Sequence, residues 1–376
     1  GLLRQVARRL QSVVRGTDAI ARLGGDEFAL ILRLDMDDAA LQKYGQRIIN
    51  VFQTPYTEGG QEVNVTCSAG VATFPEDASD IDGLISNADT AMYRAKEMGK
   101  NRYVRFEASM NQAAARRHAI EIALRAELEH GDGLSMHYQP LISAADASLV
   151  GAEALLRWTH AELGNVSPME AISVAEDCGL IVALGYWTMR AACRDAASWG
   201  AGKSLRVAVN ISARQLGDPQ FLQRVMDILR EEGLPAHRLE IELTETVLME
   251  NMEAEAHTLH RLSQLGIHLA IDDFGTGYSS LAYLRQLPMQ RLKIDRSFVK
   301  DLPQQENSRT IVTAIVALAH GLGLQVTAEG VETREQADHL IGQGCDILQG
   351  YVFARPMPAQ QFLAFQQEHR ADRWMN

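Results

Sequence analysis

Beyond residue 131 the chain repeats one pattern: a short apolar run, a polar loop, then a stretch with apolar residues at helical spacing. The runs are "SMHYQPLIS" (135–143), "LVGAEALLRW" (149–158), "LRVAVNIS" (205–212) and "LEIELTE" (239–245). Four more follow: "IHLAIDD" (267–273), "QRLKIDR" (290–296), "LQVTAEGVE" (324–332) and "DILQGY" (346–351). Several are almost continuously apolar, as in strands buried on both faces of a parallel sheet. Eight such strands alternating with helices over about 240 residues predict a TIM-like (β/α)8 barrel. Each run carries a polar residue near its C-terminal end, where such barrels build their active sites.

The first 106 residues read differently, as a smaller α/β domain. A helix over 2–14 precedes a strand "DAIARL", the turn "GGDEF" and a second strand "ALILRL". A helix over 36–53, a strand "NVTCSAGVATF" and a helix over 81–99 complete it. Residues 107–130 have apolar side chains at helical spacing (Met110, Ala114, Ile120, Leu124, Leu128) and neither Pro nor internal Gly. They predict a connecting helix stopped by Gly131 and Gly133. The expected organisation is therefore 1–106, a helix over 107–130, and a barrel over 131–376. The opening "GLLRQVARRL" reads as mid-helix, with no cap and no preceding strand, so the expectation is a chain cut inside a domain.

Charge narrows the partners. A net charge of −12 argues against a broad basic surface and hence against a nucleic-acid polymer. It leaves room for a small anionic ligand, because a metal or a few local cations reverse the field inside a site. Cys67, Cys178, Cys193 and Cys345 are scattered without C-x-x-C spacing, which predicts reduced thiols and a cytoplasmic location. No apolar run reaches the roughly 18 residues of a membrane span, and no signal peptide is visible, so no membrane contact is expected from these residues.

The strand-end groups are Glu153, Asn210, Glu242, Asp272, Asp273, Lys293, Glu329 and Gln349. Five are carboxylates, which would repel strongly at one barrel mouth unless neutralised. Oxygen-rich sites suit hard cations such as Mg²⁺ or Mn²⁺. Two ions roughly 3.5–4 Å apart activate water and stabilise in-line displacement at phosphorus. Taken alone, Asp272-Asp273 before a glycine turn is a turn and helix cap, and a single strand-end Glu is a solvated rim group. The coincidence across the strands is what points to a site. Successive strand residues face opposite ways, so holding both aspartates in one site requires a bend, which the following glycines would allow. His268 lies inside its run and reads as a packed histidine rather than a ligand. Lys293 has two readings, a cation beside the attacking water or an imine-forming lysine. Arg157 suits bidentate recognition of a phosphate or, equally, a surface ion pair.

At these residues the chain becomes recognisable. "GAEALLRW" resembles the EAL signature of cyclic di-GMP phosphodiesterases. "VNIS", "ELTE", "DDFGTGYSSL", "LKID", "AEGVE" and "LQGY" resemble that family's other motifs, in the same order. The resemblance implies metal-dependent hydrolysis of cyclic di-GMP to linear 5′-pGpG, with two Mg²⁺ or Mn²⁺ ions. By that resemblance, Glu153, Asn210, Glu242 and Asp272 hold one ion, and Asp272 and Asp273 a second, with Glu329 nearby. Glu329 is similar to the family's general base, and Lys293 to the lysine that contacts the same water. Gln139 (of "YQP"), Arg157 and Gln349 correspond to substrate-binding residues. Glu245 is similar to the glutamate that braces the loop Asp273–Ser280, and Glu332 belongs to the same support shell. The resemblance also implies a homodimer through the EAL barrel. Members that lose these residues only bind the dinucleotide, so a non-catalytic cyclic di-GMP receptor is the alternative.

The first domain resembles the GGDEF domain of diguanylate cyclases. It has Gly24, Gly25, Asp26, Glu27 and Phe28 as the signature, and Lys96 and Lys100 at positions that meet a triphosphate. Arg15 and Asp18 resemble that family's inhibitory product-binding site, a second place for cyclic di-GMP. The family's first strand, first metal-binding aspartate and guanine-reading residues would lie before residue 1. The expectation is a partial, regulatory domain without cyclase activity, in a longer protein open to inner-membrane attachment through a further N-terminal region.

Overall fold

A computed structural model describes residues 1–33, 38–199, 205–250, 252–275 and 285–368. The chain forms two compact units, Gly1–His118 and Ala119–Asn376, and the division falls within the helix Ala108–His130. In the first unit, the strands Ala19–Gly24 and Glu27–Ile31 form an antiparallel hairpin with "GGDEF" at its turn. The Arg22 guanidinium donates twice to the Gly25 carbonyl, at 2.6 and 3.0 Å, and closes that turn. Asp26 and Glu27 are exposed, and Phe28 packs against the small core of this unit. Asp18 accepts the backbone N–H of Arg15 at 2.7 Å and that of Arg33 at 3.3 Å. These bonds, the first above all, lower its pKa. The strand expected over 64–74 is only Ala69–Val71, because its parallel partner Tyr103–Arg105 offers a ladder of three residues.

The second unit is a closed eight-stranded barrel. Its strands are β1 (Leu134–Ser143), β2 (Leu149–His160), β3 (Arg206–Asn210) and β4 (Leu239–Thr244). They continue with β5 (His268–Phe274), β6 (Arg291–Ile294), β7 (Gln325–Ala328) and β8 (Ile347–Leu348). All eight apolar runs become strands. The parallel expectation needs one correction: β1 runs antiparallel to both β2 and β8, whereas β2 through β8 are parallel to their neighbours. The physical reason is the link between β1 and β2, residues 144–148, five residues where a parallel crossover takes a dozen or more. Apolar side chains on the outer faces of the strands pack under the surrounding helices, including Ile120, Ala123 and Leu124 of the helix Ala108–His130.

Alternation along the strands places Glu240 and Glu242 of β4 on the inner face, and likewise Arg291 and Lys293 of β6. The strand between them contributes Ala270, opposite both Glu242 and Arg291, and its small side chain lets the long ones meet across it. Two stacked ionic layers result. At the floor, the Arg291 guanidinium lies 2.7 Å from Glu240, with Arg206 at 3.6 Å from the other carboxylate oxygen. At the mouth, Lys293 Nζ lies 2.8 Å from Glu242. His268 is half-buried beside the floor layer, where burial and then Arg206 lower its pKa, in line with a packed histidine. Removing one partner of a buried ion pair leaves the other charge uncompensated. Glu240→Ala should therefore cost about 3–5 kcal/mol in a denaturant titration. A loss under 1 kcal/mol would mean the floor pair is not a net stabiliser.

Candidate active site

The strands bring their last inner residues to one rim. Asn210 is level with Glu242 in the β3–β4 ladder, and Asp272 is level with Thr244 in the β4–β5 ladder. Glu153 is level with Ala208 between β2 and β3. Lys293, fully buried, stands at the centre. Its ammonium lies 2.6 Å from Glu329, 2.8 Å from Glu242, 3.2 Å from Asp272 and 3.6 Å from Glu153. One ammonium thus faces four carboxylates. Burial by itself lowers a lysine pKa, but Asp272, Glu153, Glu242 and Glu329 outweigh it and hold Lys293 well above its ordinary value. An imine-forming lysine needs the opposite shift.

The carboxylates respond in turn. Burial pushes Glu242 well up against the pull of Lys293. Burial and then Asp272 raise Asp273. Glu329 is pushed up to about 8 by burial and by Asp272 and Glu153, although Lys293 opposes this. Four negative charges around one positive charge make such a site retain protons. A cation entering it would expel them. Divalent metal binding at pH 7 should therefore release protons, seen in calorimetry as a dependence of the binding heat on buffer ionisation enthalpy. Binding heats that are equal in all buffers would contradict the protonated ring. The sign for stability is the same. A carboxyl whose folded pKa is raised stabilises the fold below its unfolded pKa and loses that contribution as pH rises through the folded value. For Glu329 in the metal-free chain, that loss falls between about 4.5 and about 8.

The bend at the end of β5 begins before the glycines. The β5–β6 register shifts between Ile271 and Phe274, and Asp273 itself adopts a left-handed φ of +53°. Aspartate tolerates this conformation better than most side chains, and the Asp273 N–H donates to Asp272 Oδ1 at 3.0 Å. The expected role of the glycines is thus shared with Asp273, and both carboxylates stay at the rim. Gly275, at φ +96°, carries the turn onward, and its N–H donates to the buried Glu245 at 3.0 Å. Residues 276–280 of the loop that Glu245 and Glu332 are expected to brace lie outside the described residues. The Glu332 side chain is exposed.

An amide chain closes the other side. Gln349 Nε2 donates to Glu153 at 2.6 Å and to Gln139 Oε1 at 3.1 Å, while Gln139 Nε2 donates to the Ala354 carbonyl at 3.3 Å. Asn210 Nδ2 donates to the second oxygen of Glu153 at 2.9 Å. Glu153 is thus held in place from both flanks. Arg157 lies four residues beyond it on the same face of β2, half-buried, and donates to the Leu156 carbonyl at 2.7 Å. Among the described residues, two carboxylate groups have the spacing of metal ligands: Glu153–Glu242–Asp272, and Asp272–Asp273–Glu329. In each, the candidate ligand atoms lie within 4.8 Å of one another. The second oxygen of Glu242 is buried without a hydrogen-bond partner, an acceptor that fits a cation.

Residues 121–356 match the family model described as the EAL domain. The chain belongs to the EAL-domain family. Residues 1–102 match the model described as "Diguanylate cyclase, GGDEF domain". Among curated relatives, the protein named "Bifunctional diguanylate cyclase/cyclic di-GMP phosphodiesterase MucR" of Pseudomonas aeruginosa is 42% identical over 367 residues, 96% of this chain and 53% of its own length. "Cyclic di-GMP phosphodiesterase PdeR" of Escherichia coli K12 is 42% identical over 362 residues, 96% of this chain and 54% of its own. The chain thus spans about half the length of these curated relatives. The structure described as "PaMucR Phosphodiesterase, c-di-GMP complex" aligns with a TM-score of 0.62 at 41% identity, covering 65% of this chain and 99% of that one. An EAL domain of Mycobacterium smegmatis DcpA aligns with a TM-score of 0.56 at 36% identity, covering 63% and 99%.

Two features were missed in the sequence. The floor pair Glu240–Arg291 repeats the mouth pair at a spacing of two, visible as E-x-E in "LEIELTE" and R-x-K in "QRLKIDR". The second is Gln336, readable as the last residue of the capping box "TREQ" (333–336).

Proposed function

We propose that this chain hydrolyses cyclic di-GMP to linear 5′-pGpG at the mouth of its EAL barrel. The observation that carries the reading is the convergence of Glu153, Glu242, Asp272 and Glu329 on Lys293, in a family whose relatives are named for this activity. Glu153, Asn210, Glu242 and Asp272 would hold one Mg²⁺ or Mn²⁺, and Asp272 and Asp273 a second, with Glu329 beside them. These ions would supply charge for the phosphoryl oxygens and acidify water. Glu329, 2.6 Å from the Lys293 ammonium, takes the proton of the attacking water. Lys293, held as an ammonium by its neighbours, orients that water and stabilises the charge that develops on phosphorus. Water oxygen bonds to phosphorus, the P–O3′ bond breaks, and the 3′ oxygen leaves as a hydroxyl, taking its proton from solvent. Arg157, Gln139 and Gln349 orient the dinucleotide. Glu245, through Gly275, steadies the turn that follows Asp273. We read residues 1–106 as a partial GGDEF domain with a regulatory rather than a cyclase role, and residues 107–130 as the helix that connects it to the barrel.

Turnover in ¹⁸O-water tests the bond assignment. One ¹⁸O should appear in the 5′-phosphate of pGpG and none in the 3′ hydroxyl. Binding of cyclic di-GMP with no product would favour a receptor instead.

A further inference from the structure

Gln336 stands outside the carboxylate ring, yet its carboxamide is buried and uses both of its ends. Its oxygen accepts the backbone N–H of Glu332 at 2.8 Å and of Thr333 at 3.0 Å. Its nitrogen donates to the carbonyls of Val299 and Lys300, each at 3.2 Å. The oxygen half completes a capping box for the helix Arg334–Gln343, in which Thr333 accepts the Gln336 N–H at 3.2 Å. A capping box needs only an acceptor at this position, and glutamate serves as well. The nitrogen half therefore calls for its own explanation.

That half reaches the end of the short helix Arg296–Val299, which follows β6 and Lys293 directly. The oxygen half grips the segment that follows β7 and carries Glu329. One buried side chain thus fastens the Lys293 strand's exit to the Glu329 strand's exit. Other backbone ties on the Glu329 segment are the Glu329 N–H to the Ile294 carbonyl at 3.2 Å, the Val331 N–H to the Gln349 carbonyl at 3.0 Å and the Val352 N–H to the Val331 carbonyl at 3.0 Å. Between them, Gly330 sits at φ +68°, where an added Cβ would come within 2.5 Å of the Arg296 Cβ. The two segments pass so closely there that their relative position fixes where Glu329 stands. We propose that Gln336 is a positioning residue that holds Glu329 against Lys293 by tying the loop after β7 to the helix after β6.

The inference rests on the reading of Glu329 as the base, so its test has one arm that needs no turnover. In Gln336→Met, of similar shape but with neither donor nor acceptor, amide exchange should accelerate at Glu329 as well as at Glu332 and Thr333. Steady-state kinetics should show kcat down at least tenfold with KM for cyclic di-GMP within twofold. Gln336→Glu keeps the acceptor and loses the donor. It should keep the Glu332 and Thr333 amides protected and still lose several-fold in kcat. Should Gln336→Met fail to fold, this second variant decides. Faster exchange confined to Glu332 and Thr333, with kcat unchanged, would reduce Gln336 to a helix cap and overturn the inference. A parent chain without turnover would sink the phosphodiesterase reading alone, and exchange at Glu329 would still decide the tie.

Discussion

Replacing Lys293 by methionine should abolish hydrolysis of cyclic di-GMP and, independently, destabilise the metal-free chain by about 3–5 kcal/mol. Both effects have one cause. The ammonium is fully buried and is shared by Glu153, Glu242, Asp272 and Glu329. Methionine fills similar space and removes the charge, so four carboxyl groups are left facing one another in a low-dielectric site. They must take up protons or spread apart. A divalent ion offers an alternative counter-charge and should restore much of the lost stability without restoring turnover, because the water loses its second contact. Denaturant titrations in EDTA and in Mn²⁺ separate the two effects. If Lys293→Met were as stable as the parent in EDTA, the ammonium would not be the counter-charge that holds the ring together.

The second large effect is expected at Asp272, which belongs to both carboxylate groups. Asp272→Asn keeps the shape and gives up the charge. It should lower the rate by roughly a thousandfold or more, since it weakens both ion positions at once. Calorimetric titration with Mn²⁺ should show a loss of affinity across the whole isotherm. Asp273→Asn touches only one group and should cost less, with the stronger part of the isotherm retained. An Asp272→Asn variant within tenfold of the parent rate would mean that the shared-ligand arrangement is wrong.

Much of the fold was legible because a buried strand writes itself as an apolar run, and eight runs became eight barrel strands. The parallel direction expected of β1 is wrong, since an apolar run carries no polarity. The signal lay in the gap, where residues 144–148 are too few for a crossover helix. The ring residues could be listed from the strand ends, but their arrangement around Lys293 depends on ladder register between segments far apart in the chain. Asp273 shows the limit of local rules. The sequence located a bend near the glycines, and the backbone turns already at the aspartate. Gln336 shows another: its capping box is local and readable, whereas its bonds to Val299 and Lys300 arise only once two barrel strands are neighbours.

The most direct test of the central claim is a single time course. The chain is stripped with EDTA, mixed with cyclic di-GMP, and sampled by chromatography before and after addition of Mg²⁺ or Mn²⁺. The account predicts no product until the ion is added, then linear pGpG, and none from Asp272→Asn under the same conditions. Cyclic di-GMP that binds but stays intact with either ion, or pGpG that forms equally well in EDTA, would contradict it.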